Sequence, residues 1–289
     1  MRGVVPYTIR IVRMRHREKA RRRVGLARAL SKMGYCSRAQ ARELIVAGRV
    51  KLNGTVRRDP ETPVEQGNDR IMVDDSPVAA QSKFYLMLNK PRGAVTTRSD
   101  EKGRETIYEF LPPGLPFLAP VGRLDKASEG LLLVTNDSEW GGHILAPRTH
   151  LDKTYHVQIG AIADASLLKT LCEGVKTDGD DVLRAKGASL LRRGERNSWL
   201  EIVLEEGKNR HIRRMLEALH IEVLRLVRVA IGPLALGELS KGACRPLTSS
   251  EKQTLDRAMD KEKGGCKARV IQKAAVKRRV LRQIYFTRG

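Results

Sequence analysis

The feature that most constrains the fold is a continuous apolar run at residues 131–134, between Gly130 and Thr135. Four residues cannot cross a membrane, because a spanning helix needs about 20 apolar residues. A short run that is apolar on both faces is typical of a strand inside a sheet, and residues 84–88 have the same character. The chain must therefore cover both faces of a sheet, and its 289 residues are enough for about two domains.

Further segments predict the rest of this sheet and its helices. Residues 154–159 alternate strictly, which places Tyr155 on the inner face of a strand. Residues 199–204 and 222–229 predict two more strands, and residues 209–220 predict a helix with one apolar stripe. Strands and helices alternate without an internal repeat. The predicted class is α+β, with a mixed, mostly antiparallel sheet and flanking helices.

The N-terminal part of the chain predicts two short helices. Apolar positions from Leu26 onward repeat at helical spacing until Gly34, which ends the pattern. Ser37 is placed as the N-cap of a second helix, which ends before Gly48. The arginines of this second helix lie away from its apolar face, so its outer side is basic.

A hairpin follows the two helices. Residues 50–56 read as two short strands around Asn-Gly, a dipeptide that favours a two-residue turn. A further strand at residues 69–73 completes a small module, and the polar residues 74–81 predict a linker. We place the boundary to the second domain near residue 82.

The charge of the chain is strongly positive and unevenly distributed. The sequence holds 55 Lys and Arg against 33 Asp and Glu, a net charge of +22. Residues 1–23 have nine basic and one acidic side chain, and residues 253–289 have eleven and three. We predict a basic tail at each end, around domains at 24–81 and 82–252. Such a charge favours a polyanion as partner.

The cysteines and the apolar segments bear on location. The four cysteines are scattered without a CxxC pair, which predicts neither a disulfide framework nor a zinc site. We therefore expect a cytoplasmic protein with no metal and no membrane segment. The Arg-rich start leaves an organelle transit peptide open, although it lacks serine, and Met14 is an alternative start.

The densest candidate for chemistry is residues 121–137, with the sequence VGRLDKASEGLLLVTND. Asp125 lies in a loop after Gly122 and directly before the predicted buried strand, so a rigid element holds its carboxylate. This placement suits a catalytic group. From the spacing alone, Asp125 as a turn-capping residue beside an exposed Arg123 stays open as the alternative.

The N-terminal module resembles the S4-type RNA-binding domain. The resemblance rests on the leucine at position 26, the arginine-bearing second helix and the sequence GRVKLNG at residues 48–54. It implies that cations of the helix and the first strand contact RNA. These candidate RNA-binding residues are Arg38, Arg42, Arg49 and Lys51. A solvated basic face is the alternative interpretation of each one.

The larger part of the chain resembles the pseudouridine synthases, in the branch with ribosomal small-subunit synthase A and large-subunit synthases B and F. Residues 121–137 resemble the catalytic motif of that family. The other similar segments follow in the family's order: LNKPRG at 88–93, KTY at 153–155, EGKNRHIRRM at 206–215, and 226–247, which ends in RPL. The resemblance covers residues 24–252.

Two positions depart from the family's pattern. Ser138 stands where the family usually has glycine, and His211 stands where it usually has glutamine or glutamate. Neither change removes a group that the chemistry needs. We interpret His211 as a tolerated change on a helix surface, with an altered substrate contact as the alternative.

The resemblance implies a reaction and its catalytic groups. A uridine of ribosomal RNA, more specifically of the 23S large-subunit RNA, would be flipped out and isomerised to pseudouridine without a cofactor. The resemblance implies that Asp125 is the reacting carboxylate, that Tyr155 stacks on the flipped base, and that Arg213 holds the charge of Asp125. Without the resemblance, a strand tyrosine such as Tyr155 is most simply part of the core.

The resemblance also implies substrate contacts and partners. The candidate substrate-binding residues are Lys90, Arg123, Arg210, Arg214 and Leu226. Two interpretations stay open for Arg210 and Arg214, which either contact phosphates or are plainly solvated charges. Leu226 either lines the substrate pocket or belongs to the core. The expected partner is ribosomal RNA or a pre-ribosomal particle, and the expected state is a monomer. The alternative function is a non-catalytic RNA-binding factor in ribosome assembly.

Overall fold

The computed structural model describes residues 23–65, 67–79, 81–98, 100–177 and 181–260. These residues form two compact units. The first unit contains residues 23–30 and 38–78, and the second contains residues 31–37 and 79–260. The predicted basic tails lie outside the described residues, except Arg23 and residues 253–260.

Two helices and six short strands are described in the N-terminal part. In chain order they are β1 (Val24–Gly25), α1 (Leu26–Lys32), α2 (Arg38–Val46), β2 (Val50–Leu52), β3 (Thr55–Arg57), β4 (Pro63–Val64), β5 (Ile71–Val73) and β6 (Ser76–Pro77). Strands β3, β2, β5 and β6 form an antiparallel sheet in that order, and β1 pairs with β4. The predicted helix–helix–hairpin order is confirmed.

The turns of this unit follow from residues that tolerate positive φ. Asn53 and Gly54 have φ of 52° and 81°, which is the conformation that a two-residue hairpin turn requires. Asp74 and Asp75, with φ of 48° and 64°, turn the chain from β5 into β6. The prediction that residues 74–81 are only a linker is therefore wrong for 74–77, because short polar turn residues concealed a second hairpin.

The second unit holds the remaining elements. They are β7 (Tyr85–Lys90), β8 (Ala119–Val121), β9 (Glu129–Thr135), α3 (Ser138–Leu145), β10 (Lys153–Ile159), α4 (Ala165–Glu173), β11 (Val175–Lys176), β12 (Val182–Leu183), β13 (Gly187–Arg193), β14 (Ser198–Leu204), α5 (His211–Glu217), β15 (Val223–Ile231), β16 (Leu234–Ala235), β17 (Cys244–Pro246) and α6 (Ser249–Asp260). Residues 253–260, predicted as tail, complete α6.

The large sheet has the order β13-β14-β10-β15-β9-β7-β17, with β8 beside β9 and β16 beside β15. Its described pairs are antiparallel except β15 with β9, which run parallel. At that junction Gly130 has φ of 102°, and a Cβ there would lie 2.2 Å from the carbonyl oxygen of Arg228. Only glycine fits this position. The predicted mixed, mostly antiparallel sheet is confirmed.

Both faces of β9 are covered, as its apolar run predicts. Leu132 belongs to a core cluster that includes Met215 of α5, and Leu131 belongs to a second cluster that includes Trp140 of α3 and Leu255 of α6. All seven residues of the strand are buried. Among the described residues, no helix is long and apolar enough to span a membrane.

Candidate active site

A cleft of about 640 Å³ opens in the second unit, around the loop before β9. Its size suits a nucleoside, since ligand pockets commonly have volumes of about 300–1,000 Å³. The lining side chains are largely polar and charged. They belong to Val95, Thr96, Thr97, Asp100, Glu101, Lys102, Arg104, Arg123, Leu124, Asp125, Lys126, Ala127, Arg210 and Arg213.

Asp125 is exposed in this cleft, on the turn that leads into the fully buried β9. The carbonyl group of Asp125 accepts a hydrogen bond from the Ser128 N–H at 2.9 Å, which closes the turn. In the described part of the chain, its carboxylate has no hydrogen-bond or ion-pair partner. The carboxylate is therefore free to meet a ligand while its backbone is fixed.

Three hydrogen bonds hold the first half of this turn from one neighbouring segment, residues 93–96. The Thr96 hydroxyl donates to the Leu124 carbonyl at 2.7 Å, and the Leu124 N–H donates back to the hydroxyl oxygen at 3.3 Å. The Gly93 N–H donates to the Lys126 carbonyl at 2.8 Å. The loop after β7 therefore fixes the backbone on both sides of Asp125.

Two cations hold the second half of the turn. Arg213 of α5 donates from Nη2 to the Ala127 carbonyl at 3.1 Å. Lys90, the last residue of β7, donates from Nζ to the Ser128 carbonyl at 2.9 Å and to the Pro91 carbonyl at 3.0 Å. The five carbonyls from 124 to 128 thus all have partners, which is the preorganisation that a catalytic group needs.

Lys90 is fully buried, with 0% of its surface exposed, so the structure does not bring it into the cleft. The predicted strand at 84–88 extends to Lys90, and this extension places the ammonium behind the turn. Burial lowers the pKa of Lys90 to about 8, although the charges of Glu129 and Asp125 act in the opposite direction. The predicted substrate contact is replaced by a contact to the backbone that carries Asp125.

Arg213 is close enough to Asp125 for their charges to interact. Burial lowers the pKa of Arg213, the negative charge of Asp125 raises it, and the positive charges of Arg210 and Arg92 lower it further. No direct ion pair joins Arg213 to Asp125 among the described residues. The Nε of Arg213 is buried and has no partner there. One donor of this guanidinium is therefore unsatisfied in the wall of the cleft.

The other predicted cations of this site differ in position. Arg123 and Arg210 are exposed and line the cleft, and Arg210 precedes α5 with φ of 50°. Arg214 instead donates to the Asp181 carboxylate at 2.9 Å and to the Thr177 hydroxyl at 3.0 Å. Arg214 is thus neither a cleft residue nor a plainly solvated charge.

Tyr155 and Leu226 belong to the core cluster next to the cleft. Tyr155 is 9% exposed and Leu226 is 6% exposed. Both share a cluster with Leu124 and Ile212, which are the neighbours of Asp125 and Arg213 in sequence. Neither Tyr155 nor Leu226 lines the described cleft.

The two departures from the family pattern have different surroundings. His211 is only 7% exposed, so its placement on a helix surface was wrong. Burial is the largest of the effects that lower the pKa of His211. Ser138 is exposed at the start of α3, next to Asp137, which caps that helix.

Three of the four predicted RNA-binding cations of the first unit are exposed, Lys51 is half-buried, and most of the four have carboxylate partners. Arg49 donates from Nε to Asp74 at 2.8 Å, and this hydrogen bond lowers the pKa of Asp74. Lys51 pairs with Asp75. Separately, Arg42 lies 3.6 Å from Glu61, while Arg38 is exposed at the start of α2.

The sequence analysis did not identify several groups that lie behind the turn at residues 124–128. Thr96, Glu129, Arg225 and Lys241 were not candidates, although Glu129 lies inside the motif at 121–137. Its position directly before the apolar run was a signal, since a carboxylate there is carried into the core. Its partners are over 90 residues away and had no local signal.

Comparisons with known proteins identify the family of the chain. A family model described as RNA pseudouridylate synthase matches residues 84–218, and an S4 domain model matches residues 24–71. An uncharacterized RNA pseudouridine synthase of Aquifex aeolicus is 39% identical over 238 residues, which cover 82% of this chain and 95% of the relative. The chain therefore belongs to the RNA pseudouridylate synthase family, and it is an RNA pseudouridine synthase, an isomerase, with an S4 domain.

Two further relatives support this assignment. The ribosomal large subunit pseudouridine synthase B of Bacillus subtilis is 35% identical over 231 residues, covering 80% of this chain and 94% of the relative. A crystal structure of a pseudouridylate synthase is 31% identical with a TM-score of 0.58, covering 80% of this chain and 99% of that one. The likeness thus spans almost the whole length of each relative.

Proposed function

We propose that the protein converts a uridine of large-subunit ribosomal RNA into pseudouridine, with Asp125 as the reacting carboxylate. The observation that carries this proposal is the exposed carboxylate on a turn whose carbonyls are all bonded, in a cleft lined by cations. The choice of RNA rests on the Bacillus subtilis relative, whose name specifies the large subunit.

The chemistry sets the demands on the site. The N1–C1′ bond breaks, the base turns, C5 joins C1′, N1 takes up a proton and the hydrogen at C5 leaves to water. No electrons are gained or lost, so the reaction needs no redox cofactor. A carboxylate acts either as a nucleophile or by assisting removal of a sugar proton, and both routes need ionised Asp125 in a largely dry site.

The neighbouring groups have complementary roles in this proposal. Arg213 supports the charge of Asp125, since a guanidinium remains protonated and has several fixed donors. Tyr155 receives the ring of the flipped base, with Leu226 beside it in the same cluster. Arg123 and Arg210, exposed at the cleft, are placed to meet phosphates of the RNA.

The substrate must offer an unpaired uridine. Extruding a base costs a few kcal/mol and costs least in loops and bulges, so the target is a structured stem-loop. The S4 domain contacts mainly the backbone and the shape of the RNA, and the terminal basic segments add salt-sensitive affinity. The described lining of the cleft comes from one chain, so a monomer is the proposed state. The cytoplasm is the proposed location, because the proposed substrate is ribosomal RNA.

Tritium release from C5 tests the proposal directly. Large- and small-subunit RNAs are transcribed with uridine tritiated at C5 and incubated with wild type and with Asp125→Asn. We expect release from large-subunit RNA by wild type, and a rate at least about 10³-fold lower for the variant with RNA affinity retained. Release from small-subunit RNA alone contradicts the substrate, no release contradicts the reaction, and an active Asp125→Asn contradicts the role of the carboxylate.

A further inference from the structure

Glu129 is a buried carboxylate four residues after Asp125, at the first position of β9, with 3% of its side chain exposed. Arg225 of β15 donates to both of its oxygens, from Nε at 2.8 Å and from Nη2 at 3.0 Å. The Lys241 ammonium lies 2.8 Å from Oε2. Burial alone would raise the pKa of Glu129, but the two cations hold it below its ordinary value.

The segment that supplies Lys241 is also attached to the strand that supplies Lys90. The Gly242 N–H donates to the carbonyl of Asn89 at 2.8 Å, and the Asn89 side-chain amide donates to the Leu239 carbonyl at 2.7 Å. Asn89 is the residue directly before Lys90. The carboxylate of Glu129 therefore connects β9, β15 and the end of β7 behind residues 124–128, which we call the catalytic turn.

The charge of Glu129 also acts on Lys90. It is the largest of the effects that keep the buried ammonium protonated, and Asp125 contributes in the same direction. Lys90 in turn donates to the Ser128 carbonyl, the last one in the turn. A buried ion pair is weak support for stability by itself, because apolar groups of similar volume often serve as well. Because this pair lies at the end of the catalytic turn, it holds the geometry of that turn in addition to any effect on stability.

We propose that Glu129 is a positioning residue for Asp125, which fixes the end of the catalytic turn through Arg225 and Lys241 and so sets the rate of chemistry rather than the affinity for RNA. This inference rests on the proposed role of Asp125. Glu129 itself contacts neither the cleft nor the reacting atoms, and it acts through the backbone of residues 125–128.

The test is Glu129→Gln, which keeps the shape of the side chain and removes its charge. Single-turnover tritium release is measured with saturating enzyme, and RNA affinity is measured separately. We expect a rate about 10- to 100-fold lower than wild type, because small displacements of a reacting group have effects of that size. RNA affinity should stay within about twofold, as for a residue that acts only on the transition state.

A matched control is Glu251→Gln. Glu251 also accepts two hydrogen bonds from one arginine, Arg245, at 2.7 and 2.8 Å, and it is partly buried in α6. Both variants lose a bidentate ion pair, so both should melt earlier than wild type. Only Glu129→Gln should lose rate. Equal losses of rate in the two variants would overturn the proposal, since any lost ion pair would then have the same effect.

The dependence of the single-turnover rate on pH distinguishes a positioning role from a merely structural one, which would leave this dependence unchanged. Removing the charge of Glu129 lowers the pKa of Lys90, so the alkaline limb of the single-turnover rate should move to lower pH in Glu129→Gln. If this variant shows no cooperative melting, Lys241→Met replaces it for the measurement of rate alone, because Lys241 is half exposed, its loss is easier to tolerate, and the charge of Glu129 stays in place. An unchanged rate in the folded variant, or an unchanged profile in folded Glu129→Gln, would overturn the proposal.

The wild-type reaction separates this proposal from the one on which it rests. If wild type releases tritium and Asp125→Asn does not, the function stands and the rate of Glu129→Gln decides the positioning role. If wild type releases none, the proposed function fails, and the positioning role fails with it for lack of a rate to set.

Discussion

The two units use the same kind of residue in opposite ways. In the first unit, Arg49 and Lys51 lie at the surface, and carboxylate side chains pair with them. In the second unit, Lys90 and Arg213 are shielded from solvent to a large extent, and backbone carbonyls accept their hydrogen bonds. A surface carboxylate can be exchanged for a phosphate, whereas a carbonyl of a closed turn cannot.

This difference separates binding from positioning. Exposed ion pairs are weak and screened by salt, so RNA can replace the carboxylates at little cost. A cation that satisfies a buried carbonyl holds one geometry, because breaking that hydrogen bond leaves both groups unpaired away from water. We therefore expect substitutions in the second unit to change the rate of reaction, and substitutions in the first unit to change affinity.

The largest effect among the cations is expected for Arg213→Lys. Lysine keeps the charge but loses the planar fork that reaches the Ala127 carbonyl, so the turn loosens beside Asp125. We expect the single-turnover rate to fall about 10²-fold, with RNA affinity almost unchanged. Arg214→Lys, one position along α5 with the Asp181 carboxylate as partner, is the control and should stay near wild type. A larger loss in the control would remove the distinction between the two partners.

From the lowered pKa of Lys90 we expect stability and reaction rate to change in opposite directions as the pH rises. Its pKa is about 8 in the folded protein against an ordinary 10.5, so the unfolded chain binds the proton more tightly. Between these pH values stability therefore rises with pH, by up to about 3 kcal/mol from this residue. Activity should fall over the same range, because the neutral amine is a weaker donor to the Ser128 carbonyl.

The measurement compares wild type with Lys90→Met by urea unfolding at several pH values from 7.5 to 10. Lys153, whose pKa burial also lowers, is present in both proteins and cancels in the difference. The difference in unfolding free energy between wild type and variant should shift in favour of wild type as the pH rises. A constant difference would show that Lys90 is not the titrating group.

Local patterns were sufficient to predict most of the fold. The apolar run of β9, the alternation of β10 and the Asn-Gly turn after β2 each determine an element through neighbouring residues alone. The same is true of the position of Asp125, which follows from a glycine and a buried strand on either side of one loop. These features depend on spacing, which a sequence contains directly.

Partners at long range could not be predicted in this way. Lys90 reaches Ser128 because β7 and β9 are neighbours in the sheet, and Arg225 reaches Glu129 because β15 pairs with β9 in parallel. His211 is buried by packing that its helical wheel does not show. Such contacts depend on the order and register of strands, which arise from the whole chain.

The smallest effects are expected for substitutions in the first unit. There the direction of the change in RNA affinity, weaker or tighter, is the informative result. The double variant Arg49→Gln with Lys51→Gln should weaken RNA binding a few-fold and reduce the slope of affinity against salt by up to about 2, as expected for two lost phosphate contacts. Asp74→Asn with Asp75→Asn should do the opposite and tighten binding, because it releases both cations from their carboxylates. Single-turnover rates at saturation should not change in either variant. Weaker binding in both would mean that the ion pairs maintain the shape of the hairpins, and the two units would then use their cations alike.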